Sequence, residues 1–132
     1  MEGLRADLEL TVQFDEIDSF RIAHHTKLVA YLERPRIRLL ANIGFDMVNP
    51  PFAAAIYSMN LDFKKTARLL DNLQVSSQIT GIEGFKLILT ERILRRGSLL
   101  LKAKTSLVFL DWDSQSPVPL SSVLPDLPGV VL

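Results

Sequence analysis

The sequence predicts an α+β domain in which one long helix lies against a mostly antiparallel sheet. Three observations predict it: an alternating segment near the start, a switch to helical period after it, and four apolar strand-like runs joined by short connections.

Residues 8–14, LELTVQF, alternate strictly. Leu8, Leu10, Val12 and Phe14 fall on one side, and Glu9, Thr11 and Gln13 on the other, the period of a half-buried strand. After a loop at 15–24 the period changes. From Thr26 to Ile43 the apolar residues Leu28, Leu32, Leu39, Leu40 and Ile43 recur at helical spacing, widened by Val29 and Tyr31, and Gly44 supplies a stop. Pro35 removes a backbone donor inside this stretch, so the helix is expected to bend near residues 31–35.

Asn49-Pro50-Pro51 ends the helical half. Strands are expected at about 53–63, 73–82, 85–95 and 98–111, with hairpins at Glu83-Gly84 and Arg96-Gly97. The last of them is apolar on both faces (Leu99, Leu100, Leu101, Leu107, Val108, Phe109, Leu110) and is expected to be central and covered on both sides. The tail 113–132 carries Pro117, Pro119, Pro125 and Pro128, so loop or a short turn of helix is expected there and no further regular strand.

The bulk numbers narrow the function classes. A chain of 132 residues fits one domain, spanning 1–132. Fifteen basic residues balance fifteen acidic ones, without the basic excess of a general nucleic-acid binder. A composition that is 48% hydrophobic is high for so small a domain, and a subunit interface is the expected place for the excess. With no cysteine there is no disulfide, thiolate nucleophile or thiolate metal site. The opening MEGLRADLEL lacks the layout of a secretory signal, and no apolar run approaches the ~20 residues of a membrane span. A cytoplasmic location is expected.

Chemistry is concentrated in FDEIDSFRIAHH, residues 14–25, where Asp15, Glu16 and Asp18 precede His24 and His25, the two histidines of the chain. Asp15 and Glu16 read as a solvated strand end, and Asp18 has the common role of a turn cap. A metal site is disfavoured, because adjacent histidines in an extended segment point to opposite sides and one histidine with a carboxylate is too small a ligand set. The third reading rests on position. Asp18 lies in the loop that enters the helix, and His25 sits where the helix begins. Free N–H groups at a helix start are a place for a developing oxyanion, with a carboxylate nearby to attack or to activate water.

The stretch FDEIDSFRIAHHTKLVAYLERPRIRLL resembles the opening of the hotdog-fold acyl-CoA thioesterases of the 4-hydroxybenzoyl-CoA thioesterase type, and within them the Tol-Pal-associated bacterial acyl-CoA thioesterases. Phe14, Asp18, His25, Tyr31, Glu33, Arg34, Arg36 and Gly44 carry the likeness. A second block, LDFKKTARLLDNLQV, is similar to the family's segment entering the third strand, through Phe63, Lys64, Lys65, Ala67, Arg68 and Asp71. The resemblance implies a hotdog fold, a long bent helix wrapped by a five-stranded antiparallel sheet. It implies homodimers paired edge to edge, stacked into homotetramers, with the thioester at a subunit interface. Asp18 would be nucleophile or general base, the His25 N–H would polarise the carbonyl, and the His25 ring would orient substrate or help activate water. No cofactor or metal is implied, since coenzyme A is part of the substrate, and the partner is an acyl-CoA or acyl-carrier-protein thioester.

Several positions depart from that pattern. Ser19-Phe20-Arg21 replaces the small-residue loop after the aspartate, so Phe20 is expected to narrow or block the acyl pocket. Arg21 is expected either to pair with Asp18 or to occupy substrate space. Thr66 stands where proline is usual, and Pro35 where a helix former is usual. With only Lys86 near the 82–85 turn, phosphate binding falls to Lys64, Lys65 or Arg68, each of which also reads as a solvated basic side chain. Glu33 is expected to pair with neighbouring arginines, and Tyr31 to be core or pocket lining. The alternative to an enzyme is a non-catalytic hotdog protein that binds an acyl chain or thioester; a dehydratase on the same fold ranks last.

Overall fold

The computed structural model describes residues 4–127, which leaves Pro128 and the last residues of the tail outside it. Strand β1 (Arg5–Thr11) leads through a 3-10 turn (Phe14–Glu16) and a loop to helices α1 (His25–Tyr31) and α2 (Glu33–Asn42). Strands β2 (Ala53–Phe63), β3 (Asn72–Glu83), β4 (Lys86–Arg95) and β5 (Ser98–Leu110) follow, then a short helix α3 (Leu120–Val123). The five strands form one antiparallel sheet in the order β1-β3-β4-β5-β2. This is the hotdog arrangement expected from the sequence.

The predicted first strand was set too late. It begins at Arg5 and ends at Thr11, and Phe14 turns outward at 82% exposure. The cause is local: the Glu16 carboxylate accepts the Gln13 N–H at 2.8 Å, closing a capping box that bends the chain before Phe14 can extend the alternation. Leu10 and Val12 are buried as expected.

The helix breaks where the proline predicts. Leu32 ends α1 and starts α2, and Pro35 falls in the first turn of α2, where a missing N–H leaves no hydrogen bond unmade. Helix α2 packs on β1 and β3. Both expected hairpins form, the first with its link one residue later than the expected Glu83-Gly84. Gly84 (φ +61°) and Phe85 form the two-residue link between Glu83 and Lys86, and Arg96 (φ +50°) with Gly97 (φ +77°) links Arg95 to Ser98, as a primed turn demands.

Strand β5 is internal, between β4 and β2. Its expected cover on both faces holds over Thr105 to Phe109, where consecutive residues are buried, and fails at Lys102 and Lys104, which are exposed on the outer face while Leu101 and Ala103 point inward. The core has two parts. One, around Val12, Leu28, Tyr31, Leu32 and Leu73, lies under the loop that holds Asp18. The other gathers Leu39, Leu40, Leu87 and Phe109 with Leu120, Leu124 and Leu127 of the tail.

Glu91 is fully buried and accepts from Arg36 Nη2 (2.7 Å), Arg36 Nε (3.0 Å), Ser77 Oγ (2.8 Å) and Thr105 Oγ1 (2.7 Å). The ion pair expected between Glu33 and its arginine neighbours is therefore corrected: Arg36 turns inward to Glu91 on β4, and Glu33 is exposed and forms no ion pair among the described residues.

Candidate active site

The loop that carries Asp18 is built from its own hydrogen bonds. The Asp18 N–H donates to the Ile22 carbonyl (2.9 Å), the Arg21 N–H to the Asp18 carbonyl (3.0 Å), and the Phe20 N–H to Asp18 Oδ1 (2.8 Å). Asp18 thus serves as the turn cap that its residue type predicts, while its side chain also lines a cavity. Arg21 closes the turn at φ +65°, in the left-handed region where the family pattern has small residues. Ala23 N–H to Ala67 O (2.7 Å) and Val12 N–H to Asp71 O (3.0 Å) tie this loop to the chain entering β3, so the two sequence blocks that carry the family likeness meet in space.

At the start of α1 most backbone donors are occupied. The His24 carbonyl accepts the N–H groups of Lys27 (2.8 Å) and Leu28 (3.2 Å), and His24 Nδ1 accepts that of Thr26 (3.2 Å). The His25 N–H meets no acceptor among the described residues. The histidine rings do not point to opposite sides, as an extended segment would make them. They stack at 4.6 Å with planes 24° apart, because the helix begins at His25, and the His25 ring meets Phe63 edge-on at 6.3 Å.

A cavity of about 240 Å³ opens here, lined by Asp18, Ile22, His25, Leu28, Phe63 and Thr66 with Lys64 and Lys65 at the end of β2. The N–H groups of both lysines donate to the Leu100 carbonyl (2.7 and 3.2 Å), and Lys65 Nζ donates to Ser98 Oγ (2.6 Å). A larger depression of about 380 Å³ lies between β1, β3 and the β4–β5 turn, lined by Arg5, Asp7, Glu9, Gln74 and Ser76. It contains no pairing of a carboxylate with a free helix-start donor, so the smaller cavity is the better candidate.

Asp18, His25, Lys64 and Lys65 thus come together. Phe20 does not narrow this cavity; its side chain is 82% exposed and outside the lining. Arg21 is exposed, forms no ion pair with Asp18 and does not fill the cavity. Arg68 lies beyond the lining, where its N–H donates to Asp71 Oδ2 (2.8 Å) and Asp71 also pairs with Arg95. Tyr31 belongs to the core: it is buried, and its Oη has no hydrogen-bond partner. Burial first, and the Glu16 carboxylate next, push its phenol above the ordinary range. No group of three or more metal-ligating side chains occurs among the described residues. No described helix is long and apolar enough to cross a membrane.

The sheet has the hotdog order, and Asp18 and His25 line one cavity beside the start of α1. The model of the thioesterase-like superfamily matches residues 12–126, and the chain belongs to that superfamily. It is 26% identical over 122 residues to the putative acyl-CoA thioesterase YneP of Bacillus subtilis, covering 89% of this chain and 88% of that protein. It is 28% identical over 100 residues to the acyl-CoA thioester hydrolase YbgC of Escherichia coli, covering 74% and 75%. Among solved structures, the DHNA-CoA thioesterase of Staphylococcus aureus superposes with a TM-score of 0.83 at 19% identity, over 92% of this chain and 85% of that one. An Asp→Asn mutant of 4-hydroxybenzoyl-CoA thioesterase, complexed with 4-hydroxybenzoyl-CoA, superposes at 0.77 and 17% identity, over 87% and 90%. The expectation of a thioester hydrolase agrees with these names.

Proposed function

We propose that the protein is an acyl-CoA thioesterase in which Asp18 is nucleophile or general base and the His25 N–H polarises the thioester carbonyl. The observation that carries this reading is that Asp18 and His25, whose N–H meets no acceptor among the described residues, line the same cavity. The Asp18 carboxylate has two routes open to it. Acting as nucleophile, it forms a mixed anhydride and expels the thiolate, and water then hydrolyses the anhydride. Acting as base, it takes the proton of a water that adds to the carbonyl, and collapse of the tetrahedral intermediate releases the acid and the thiol. In either route the carbonyl oxygen gains negative charge, which a fixed N–H at a helix start stabilises.

Lys64 and Lys65 supply positive charge at the cavity mouth for the phosphates of coenzyme A or of a carrier-protein phosphopantetheine. Arg21, Arg68 and Phe20 are assigned to the rim outside it. The His25 ring, held by His24 and Phe63, orients substrate or helps activate water. Edge strand β2 exposes Ile56, Tyr57 and Phe63, which supports pairing of two copies along this edge into a homodimer, with stacking to a homotetramer as the further expectation. The cysteine-free composition supports a cytoplasmic location.

Free-thiol release from short, long and aromatic acyl-CoAs, then from acylated carrier protein, tests the activity. Turnover on any of them is expected. Retention of an acyl ligand without turnover on all of them would replace the enzyme by the acyl-binding protein.

A further inference from the structure

We infer that His24 is a positioning residue for this site and that its uncharged ring sets the acid limit of hydrolysis. The inference rests on the reading of Asp18 and His25 given above, but it starts from a separate feature. His24 is the N-cap of α1, and its side chain takes the Thr26 N–H at 3.2 Å and lies 2.7 Å from Thr26 Oγ1.

A backbone N–H can only donate. Nδ1 of His24 therefore presents its lone pair, which leaves the proton of the neutral ring on Nε2. The Thr26 hydroxyl adapts to either state, since it can donate to a bare Nδ1 or accept from a protonated one. The Thr26 N–H cannot adapt, and a protonated Nδ1 would meet it donor to donor.

The consequence reaches His25 through one peptide plane. The His24 carbonyl and the His25 N–H belong to the same planar unit and point in opposite directions. That carbonyl is aimed by the N–H groups of Lys27 and Leu28, while the His24 N–H is fixed on the Glu16 carbonyl at 2.9 Å. A cap that holds the first turn of α1 thus holds the direction of the His25 N–H. The stacked ring of His24 also supports that of His25. The charged and titratable groups around this pair are Glu16 from the 3-10 turn, Asp18 from the loop, His25 and Lys27 from α1, and Lys64 and Lys65 from β2.

Histidine side chains change charge between about pH 5 and 8. Asparagine is also a good N-cap acceptor but does not titrate in that range. His24→Asn is therefore expected to keep most of the hydrolysis at pH 8 and to lose less of it than wild type as pH falls to 5.5. His24→Ala, which has no acceptor, is expected to lower kcat about five- to tenfold at pH 8 with little change in KM. In parallel, the Thr26 amide resonance of the intact protein is followed by 15N–1H NMR from pH 8 to 5.5. It is expected to move with pH markedly more in wild type than in His24→Asn.

An acid limb of kcat that is the same in wild type and His24→Asn overturns the inference, as does a Thr26 amide that titrates equally in both. A wild-type Thr26 titration without hydrolysis of any thioester would leave the cap in place and remove the proposed activity instead, so the two failures are distinguishable.

Discussion

Replacing Glu91 by leucine is expected to cost a large part of the stability of the fold. Its two carboxylate oxygens accept four hydrogen bonds at 2.7 to 3.0 Å from Arg36, Ser77 and Thr105, and the residue has no exposure to solvent. The leucine would leave the Arg36 guanidinium facing apolar surface and orphan two hydroxyls. Removing one partner of a buried ion pair costs about 3–5 kcal/mol. Each orphaned hydroxyl adds about 1 kcal/mol, though contributions within one network do not sum. A loss of about 4–5 kcal/mol is a large part of the ~5–15 kcal/mol typical of a domain, and lowers Tm by roughly 10–20 °C. Because the cost comes from the stranded cation, Arg36→Met/Glu91→Leu is expected to recover at least half of it. Urea unfolding at pH 7, with the slope checked for each variant, measures both. A Glu91→Leu variant within about 1 kcal/mol of wild type, or a double variant no more stable than Glu91→Leu, would refute the reasoning.

Two further predictions concern stability. Tyr31→Phe removes a buried hydroxyl that makes no well-formed hydrogen bond, with the Glu16 carboxylate its acidic neighbour, so it is expected to change stability by less than about 1 kcal/mol in either direction, read by the same urea midpoints. At Asp71, burial alone would raise the carboxyl, but the Arg68 N–H and the Arg95 guanidinium outweigh it and hold it below the ordinary range. A depressed native value means the stabilisation is complete above the unfolded pKa of about 3.9 and fades as pH falls through the lower native value. Asp71→Asn is therefore expected to destabilise at pH 7 and by progressively less below pH 4, and midpoints measured at pH 7 and 3 that differ from wild type by equal amounts would contradict the assignment.

Much of this molecule could be read from local pattern. The alternation of Leu8, Leu10 and Val12, the helical stripe from Leu28 to Leu40 and the glycine turns are set by neighbours a few residues apart, and the structure keeps them. Pro35 even marks the bend, because the proline restriction is local. Phe14 was misread because the capping box of Gln13 and Glu16 stops the strand, a three-residue contact that period-2 counting ignores. The inward turn of Arg36 was hidden for a different reason: Glu91 lies 55 positions away, and nothing in either segment announces its partner. That Asp18 and His25 lie together beside one cavity was legible from their places relative to the helix start. The outward course of Phe20 and Arg21 was not, since the direction of a loop side chain depends on the turn that Asp18 itself closes. The His24 cap had a faint signal, an acceptor side chain one residue ahead of the helical period, but the rank of N-cap residues does not lead with histidine.

The central claim is that Asp18 performs the chemistry, and Asp18→Asn tests it most directly. Asparagine can still accept the Phe20 N–H through its side-chain oxygen, so the turn is kept while the nucleophile or base is lost. Thiol release from the best acyl-CoA substrate is measured for both proteins, with the assembly state and Tm checked alongside. The account predicts that kcat falls by about a thousandfold or more in a protein whose assembly and Tm match wild type. Equal turnover in the two proteins would contradict it and remove Asp18 from the mechanism.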